Sequence, residues 1–289
     1  MVHNESTNAL SIYDFTLSTF KRIWESEAHQ RVSLKKIERF AEFEDHESRP
    51  ITNYRPTHIY NFLEFREEAY GNSAATQNRY IAALSKVFKH YDDEYKTDIT
   101  PRLKWKRENG GRPRFFTLEE QSQLKDILFN SGYPWTSHIV TIALKSGMRK
   151  SEILGIGKSR DQVKADQPYG EISKDLSRVY LRRTKNGDDR VVHLHPEALK
   201  ALEALDFNPS KHYDHHHFYA VWDKARRRIA KGDDTFVFHV TRHTAATTLA
   251  SLGFNTVKIG KMLGHKTIVT TAKYIHEDEE TSIKMINSL

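Results

Sequence analysis

The chain of 289 residues contains no cysteine. That excludes a disulfide framework, a thiolate zinc site and a cysteine nucleophile, and it is compatible with a reducing compartment. Long apolar runs are missing too. Hydrophobic residues make up 38% of the chain, the mean hydropathy is −0.69, and no stretch approaches the ~20 apolar residues of a membrane span. The N-terminus lacks a signal-peptide pattern. Proline (8) and glycine (13) are scarce, so their clusters mark breaks between elements.

What is present is a positive balance, +7, unevenly placed. Residues 1–100 hold 13 basic and 16 acidic side chains, residues 101–114 (PRLKWKRENGGRPR) six and one, and residues 115–289 26 and 21. A basic connector beside a basic domain points to a polyanion partner, with nucleic acid the default. The length suffices for two domains. These readings give a helical domain over 1–100, a linker over 101–114 and a second domain over 115–289.

In the first domain helical spacing runs through Phe15, Leu17, Phe20, Ile23 and Trp24, and again through Leu34, Ile37 and Phe40. A polar break at 45–52 precedes a helix opened by Arg55-Pro56-Thr57 and closed by Gly71-Asn72. The stripe Tyr80, Leu84, Val87 and Tyr91 is read as core rather than as a base-stacking platform, with Arg79, Lys86 and Lys89 outside it. The linker is read as a flexible cationic strap. Lys104, Lys106, Arg107, Arg112 and Arg114, with Arg79 and Lys86, are the expected DNA contacts.

The second domain opens with a capping box, Thr117 to Glu120. The helix SHIVTIALKSG ends at Gly147 and leaves Arg149 at a turn. Residues 178–194 form a hairpin around Asn186-Gly187 with Lys185 at its tip. A helix runs from Pro196 to Leu205, and another holds Val221, Trp222 and Ala225 inward, with Arg226 to Arg228 as phosphate-backbone contacts. His212, His215, His216 and His217 invite a metal. Neighbouring histidines on one short stretch point in different directions and no carboxylate set joins them, so no metal site is expected. The fold class is mainly α with a small antiparallel β-hairpin or sheet in the C-terminal domain.

The stretch 239–276 organises the rest. His239, Arg242 and His243 share one helix face, and Ala246, Leu249 and Leu252 give that helix a buried side, with Gly253 as its stop. Asn255 caps a second short helix that ends at Gly264-His265, and a third segment from Thr267 carries Tyr274. Three short helices can bring His239, Arg242, His265 and Tyr274 to one point. An arginine fork there suits a phosphate, and a phenol can serve as a nucleophile.

H-x-x-R-H, then L-G-H, then a tyrosine nine residues on resembles the catalytic box of the tyrosine recombinase (phage integrase) family. The upstream Ser146-Gly147-Met148-Arg149-Lys150-Ser151-Glu152 fits the family's first arginine motif, and Lys185 stands where the family has a hairpin lysine. The resemblance is close over 115–289 and in outline before that. It implies a helical core-site-binding domain followed by an α+β catalytic domain, and strand transfer through a 3′-phosphotyrosyl link. By the same resemblance Arg149 and Arg242 bind the phosphate oxygens, His265 adds a donor, and Tyr274 is the nucleophile. His239 is its general base, and Lys185 protonates the 5′-hydroxyl. A cationic pocket should favour the Tyr274 phenolate.

Glu152 is expected to hold local structure, and His243 to be structural. Thr241 replaces the family's usual leucine, with a local packing effect only. No cofactor is implied. The implied partners are double-stranded DNA, a homotetramer on synapsed sites and accessory DNA-bending or directionality factors, in the cytoplasm or nucleoid of a bacterial or archaeal cell. No arm-binding domain is expected at this length, and the tail beyond Glu277–Glu280 is expected either to pack on its own domain or to dock on a neighbouring protomer. The favoured role is integration or excision of a phage or mobile element. The alternatives are Xer-type chromosome-dimer resolution, a relaxing enzyme like the type IB topoisomerases, or a DNA-binding module without chemistry.

Overall fold

Serine hydroxyls start most of the N-terminal helices by accepting a first-turn N–H that would otherwise go unpaired. Ser11, Ser26 and Ser73 do this for α1 (Ile12–Ile23), α2 (Glu27–Ala41) and α4 (Ala74–Tyr95), while α3 (Pro56–Tyr70) starts on its proline. The computed structural model describes residues 10–43, 49–108, 114–165, 167–184, 188–272 and 274. It forms two compact units, Met1–Gly110 and Gly111–Leu289. In the first, Tyr80, Leu84, Val87 and Tyr91 of α4 meet Phe15, Phe40 and Phe62 in one core. Their rings touch edge to face, as for Phe15 and Tyr91 with centroids 5.1 Å apart. Arg79 and Lys86 stay exposed on α4.

Residues 101–108 depart from the flexible strap read from composition. Asn78 accepts from the Lys106 N–H and donates to the Lys106 carbonyl, both at 2.8 Å. The Lys104 N–H donates to the Tyr60 hydroxyl, the Lys106 ammonium pairs with Glu67 at 2.9 Å, and Leu103 packs on the core. Asn78 is buried, and an amide there needs partners, which the connector's backbone supplies. Arg112 lies outside the described residues. Asn78→Ala should therefore accelerate tryptic cleavage after Lys106 and cost about 1–3 kcal/mol of unfolding free energy. Limited proteolysis and urea titration read both.

The second unit is built on α6 (Trp135–Ser146), buried on nearly every side. It is covered by α5 (Leu118–Phe129), α8 (Pro196–Glu203) and α11 (Val240–Ser251). Between α6 and α8 lie the one-turn helix α7 (Lys150–Ile153) and three antiparallel strands in the order β1 (Tyr169–Ile172), β2 (Arg178–Arg182), β3 (Arg190–His193). β2 and β3 are the arms of the hairpin, in the register Arg178 opposite His193. β1 was not anticipated. Its four residues are too short to display an alternation.

Then follow α9 (Pro209–His212), α10 (His215–Ala230), α11, α12 (Thr256–Leu263) and α13 (Ile268–Ala272). Phe218, Trp222 and Ala225 of α10 are in the core, and the Trp222 indole donates to the Phe236 carbonyl. Leu252, expected in the buried stripe of α11, is 68% exposed, because it stands at the cap where that helix has run past its neighbours. Among the described residues no helix is long and apolar enough to cross a membrane.

Candidate active site

The site is assembled around a carboxylate. Glu152 is fully buried in the first turn of α7. One of its oxygens accepts from the Arg149 backbone N–H at 2.7 Å, capping the helix, and from Arg190 of β3 at 2.8 Å. The other accepts from the Arg149 guanidinium at 2.9 Å. A carboxylate taken out of water is stable only when paired and hydrogen-bonded, and two guanidiniums meet both needs. Arg190 is not a solvated cation, since its side chain is 8% exposed and also donates to the Leu263 carbonyl.

Arg242, 2% exposed on α11, is held from behind by carbonyls. It donates to Gly147 at the end of α6 (2.7 Å) and to Leu263 at the end of α12 (2.5 Å). Helix C-termini carry partial negative charge, so both ends suit a cation. Burial first, then Arg149 and Arg190, pull its pKa down to about 9, while Glu152 and Tyr274 oppose this. It remains a cation at neutral pH. The Arg190 guanidinium also crosses Gly264, where a Cβ would lie 2.4 Å from it and φ is +69°. The glycine of L-G-H is thus required twice over.

His265 follows that glycine, its Nδ1 2.8 Å from the hydroxyl of Thr271 on α13. Thr271 is fully buried. It approaches so closely because Gly260 has no side chain: a Cβ there would sit 2.9 Å from the Thr271 hydroxyl. With the hydroxyl donating to Nδ1, Nε2 carries the imidazole proton and is a donor. Burial, then Arg242, Arg149, Arg190 and His239, push the His265 pKa down to about 4.

Tyr274 is 5% exposed and packs against Ala246, Ile259 and Leu263. Its hydroxyl lies 2.5 Å from His243 Nδ1, and its ring stacks on that of His265 at 6.3 Å. Burial raises the phenol's pKa, and Arg242 lowers it by less. The phenolate-favouring pocket expected from the sequence is therefore corrected: desolvation outweighs the arginine. His243, expected to be structural, is the hydrogen-bonded neighbour of the tyrosine hydroxyl. His239 is exposed at the N-terminus of α11, its ring edge-on to that of His243 at 4.8 Å.

The structure thus brings Arg149, His239, Arg242, His265 and Tyr274 together and adds Arg190, His243 and Thr271. Lys185, between β2 and β3 in the sequence, lies outside the described residues. Arg114 is drawn into the second unit, paired with Glu120 (2.6 Å) and Asp233 (3.0 Å) and lying over the Phe116 and Phe236 rings. Arg226 and Arg227 share Asp223, and Arg226 also holds Asp234, so these two read as phosphate contacts are already paired. His212 pairs with Asp206, and His217 pairs with Asp214 and stacks on Tyr133. No group of three His, Asp or Glu side chains able to hold a metal occurs among the described residues.

Two outcomes follow. Glu152→Gln removes a buried charge from between two guanidiniums and should cost about 3–5 kcal/mol, read by denaturant unfolding. His265 has a folded-state pKa near 4 against 6.5 unfolded. Between those values the unfolded chain binds the extra proton, so stability falls as pH drops through that window. His265→Asn should flatten the decline in Tm between pH 7 and 5; an unchanged slope would place the effect elsewhere.

The profile of the phage integrase family matches residues 114–281. Tyrosine recombinase XerA of Saccharolobus solfataricus (strain ATCC 35092 / DSM 1617 / JCM 11322 / P2) is 30% identical over 145 residues, which cover 48% of this chain and 44% of that protein, less than half of its length. A solved Tn1549 transposon integrase in complex with a circular intermediate DNA has a TM-score of 0.69 at 16% identity, covering 97% of this chain and all of that one. A lambda integrase tetramer bound to a Holliday junction has a TM-score of 0.67 at 15% identity, covering 93% of this chain and 78% of that one. At such identities these two show a shared fold. The family profile spans more than half of the sequence and contains Arg149, Lys185, His239, Arg242, His265 and Tyr274, and the chain belongs to the phage integrase family, the tyrosine recombinases.

Proposed function

We propose that this tyrosine recombinase cleaves and rejoins DNA strands at specific sites through a 3′-phosphotyrosyl intermediate, with Tyr274 as the nucleophile. The observation that carries the reading is the convergence of a buried tyrosine with Arg242, Arg149 and His265 around one point. Attack on a phosphodiester builds negative charge on the non-bridging oxygens. Paired donors from Arg149 and Arg242, with Nε2 of His265, stabilise that charge as it develops. Proton transfer at the nucleophile falls to the histidines of H-x-x-R-H, with His239 the general base that the family resemblance assigns. Lys185 protonates the departing 5′-oxygen. The phosphotyrosyl bond keeps the energy of the phosphodiester, so a second 5′-hydroxyl can reverse the step onto another strand.

The partner is double-stranded DNA, and the acting species a homotetramer on two synapsed sites, as supported by the lambda integrase assembly on a Holliday junction. The helical unit binds the core site, with Arg79, Lys86, Lys104 and Arg107 its cations toward the phosphates, assisted by accessory bending or directionality factors. Integration or excision of a mobile element is the role supported by the transposon integrase fold. The XerA relative supports chromosome-dimer resolution as the second reading. Either role places the protein on the nucleoid.

The test is a suicide duplex, nicked within the spacer and resolved by denaturing electrophoresis. A covalent protein–DNA band is expected from the wild type and none from Tyr274→Phe. Tight binding of the duplex without a band would reduce the protein to a DNA-binding module.

A further inference from the structure

We propose that His243 is the group that takes the proton from Tyr274 as the phenol attacks, and that His239 relays it to solvent. This rests on the strand transfer proposed above and reassigns the direct acceptor from His239 to its neighbour on the same helix face. The geometry is specific. His243 Nδ1 is 2.5 Å from the Tyr274 hydroxyl. The phenol is 5% exposed, so bulk water has little access to its oxygen and the proton needs an acceptor within the protein.

The other groups facing the pair are poor acceptors. Arg242 from α11, Arg190 from β3 and Arg149 at the start of α7 are guanidiniums, with donors only. His265, after α12, has its Nδ1 engaged by Thr271. His243 is half-buried, and the ring of His239, in contact with it at 4.8 Å, is exposed to solvent. In cleavage the Tyr274 O–H bond breaks and its proton goes to Nδ1. The Oη–P bond forms, the P–O5′ bond breaks, and the 5′-oxygen takes its proton from Lys185. In rejoining, a 5′-hydroxyl attacks phosphorus and gives its proton to the Lys185 amine, the Oη–P bond breaks, and His243, reprotonated from solvent through His239, returns a proton to Tyr274.

The test compares the full chain with His243→Asn, whose amide oxygen can still accept the phenol's hydrogen bond but cannot carry its proton away. Single-turnover adduct formation is followed across pH on two suicide duplexes, one normal and one with a bridging 5′-phosphorothiolate, whose thiolate leaves without an acid. We expect binding unchanged and cleavage slowed roughly 10²–10⁴-fold on both duplexes. The wild type's rise in rate with pH, as the acceptor imidazole loses its proton, should vanish in the variant. If His243→Asn fails to bind the duplex, His243→Ala is used, and millimolar imidazole should restore its adduct.

A near-wild-type rate overturns the proposal. So does a defect abolished by the phosphorothiolate, which would put His243 at the leaving group, or a slowed enzyme that keeps the pH limb, or His243→Ala unmoved by imidazole. Absence of adduct from the wild type on either duplex would instead sink the strand-transfer reading itself.

Discussion

The buried carboxylate of Glu152 is the constraint on which the catalytic unit depends. Removing an ionised group from water costs several kcal/mol even after relaxation, and only close, well-directed cations offset it. Here the cations are Arg149 on its own helix and Arg190 from the third strand, both within 2.9 Å. Those two contacts fix the sheet to the end of α6. Arg190 then reaches the last carbonyl of α12, and that same carbonyl receives Arg242. One short chain of charge and carbonyl therefore connects α6, α7, β3, α11 and α12. The cations that would meet a phosphate are already held in place.

The second layer of organisation is steric. α12 and α13 pack closely where Gly260 leaves room for the Thr271 hydroxyl, and the Arg190 guanidinium passes over Gly264. A methyl group at either place would push apart the groups that orient His265 or seat Arg190. The same tight packing seals Tyr274 among Ala246, Ile259 and Leu263, which raises its pKa and leaves its hydroxyl dependent on a neighbouring imidazole. For Tyr274 as the proposed nucleophile, burial and the need for a close proton acceptor are thus one feature seen from two sides.

Much of this was legible before any coordinates. Helical spacing alone put His239, Arg242 and His243 on one face, and the glycines and Asn255 delimited the short helices that return the chain toward Tyr274. The hairpin was legible from Asn186-Gly187 between alternating strands, and the capping box at Thr117 from its glutamate three residues on. What escaped were relations across the chain. An arginine on a strand with exposed neighbours looks solvated, and nothing near Arg190 in sequence announces a glutamate 38 residues earlier. Thr271 is an ordinary helix residue until Gly260 is seen beneath it. His243 follows the arginine of H-x-x-R-H, and sequence alone does not show that its ring reaches the Tyr274 hydroxyl. The connector looked free by composition because the residue that ties it down, Asn78, sits on α4 among the apolar residues of that helix.

The depth of Arg242 has a consequence for ionic strength. Mobile counterions screen exposed charges within about 8–10 Å at physiological salt, and they compete directly for phosphate contacts on a DNA-binding surface. Ions of the buffer have little access to a guanidinium that is 2% exposed and clasped by two helix ends. On the function proposed above, added salt would loosen the grip of Lys104, Arg107 and other surface cations on a duplex. The charge that Arg242 would bring to the reacting phosphate would hardly change. In this fold docking and chemistry therefore answer to different electrostatics, one set by the medium and the other by the protein's own interior.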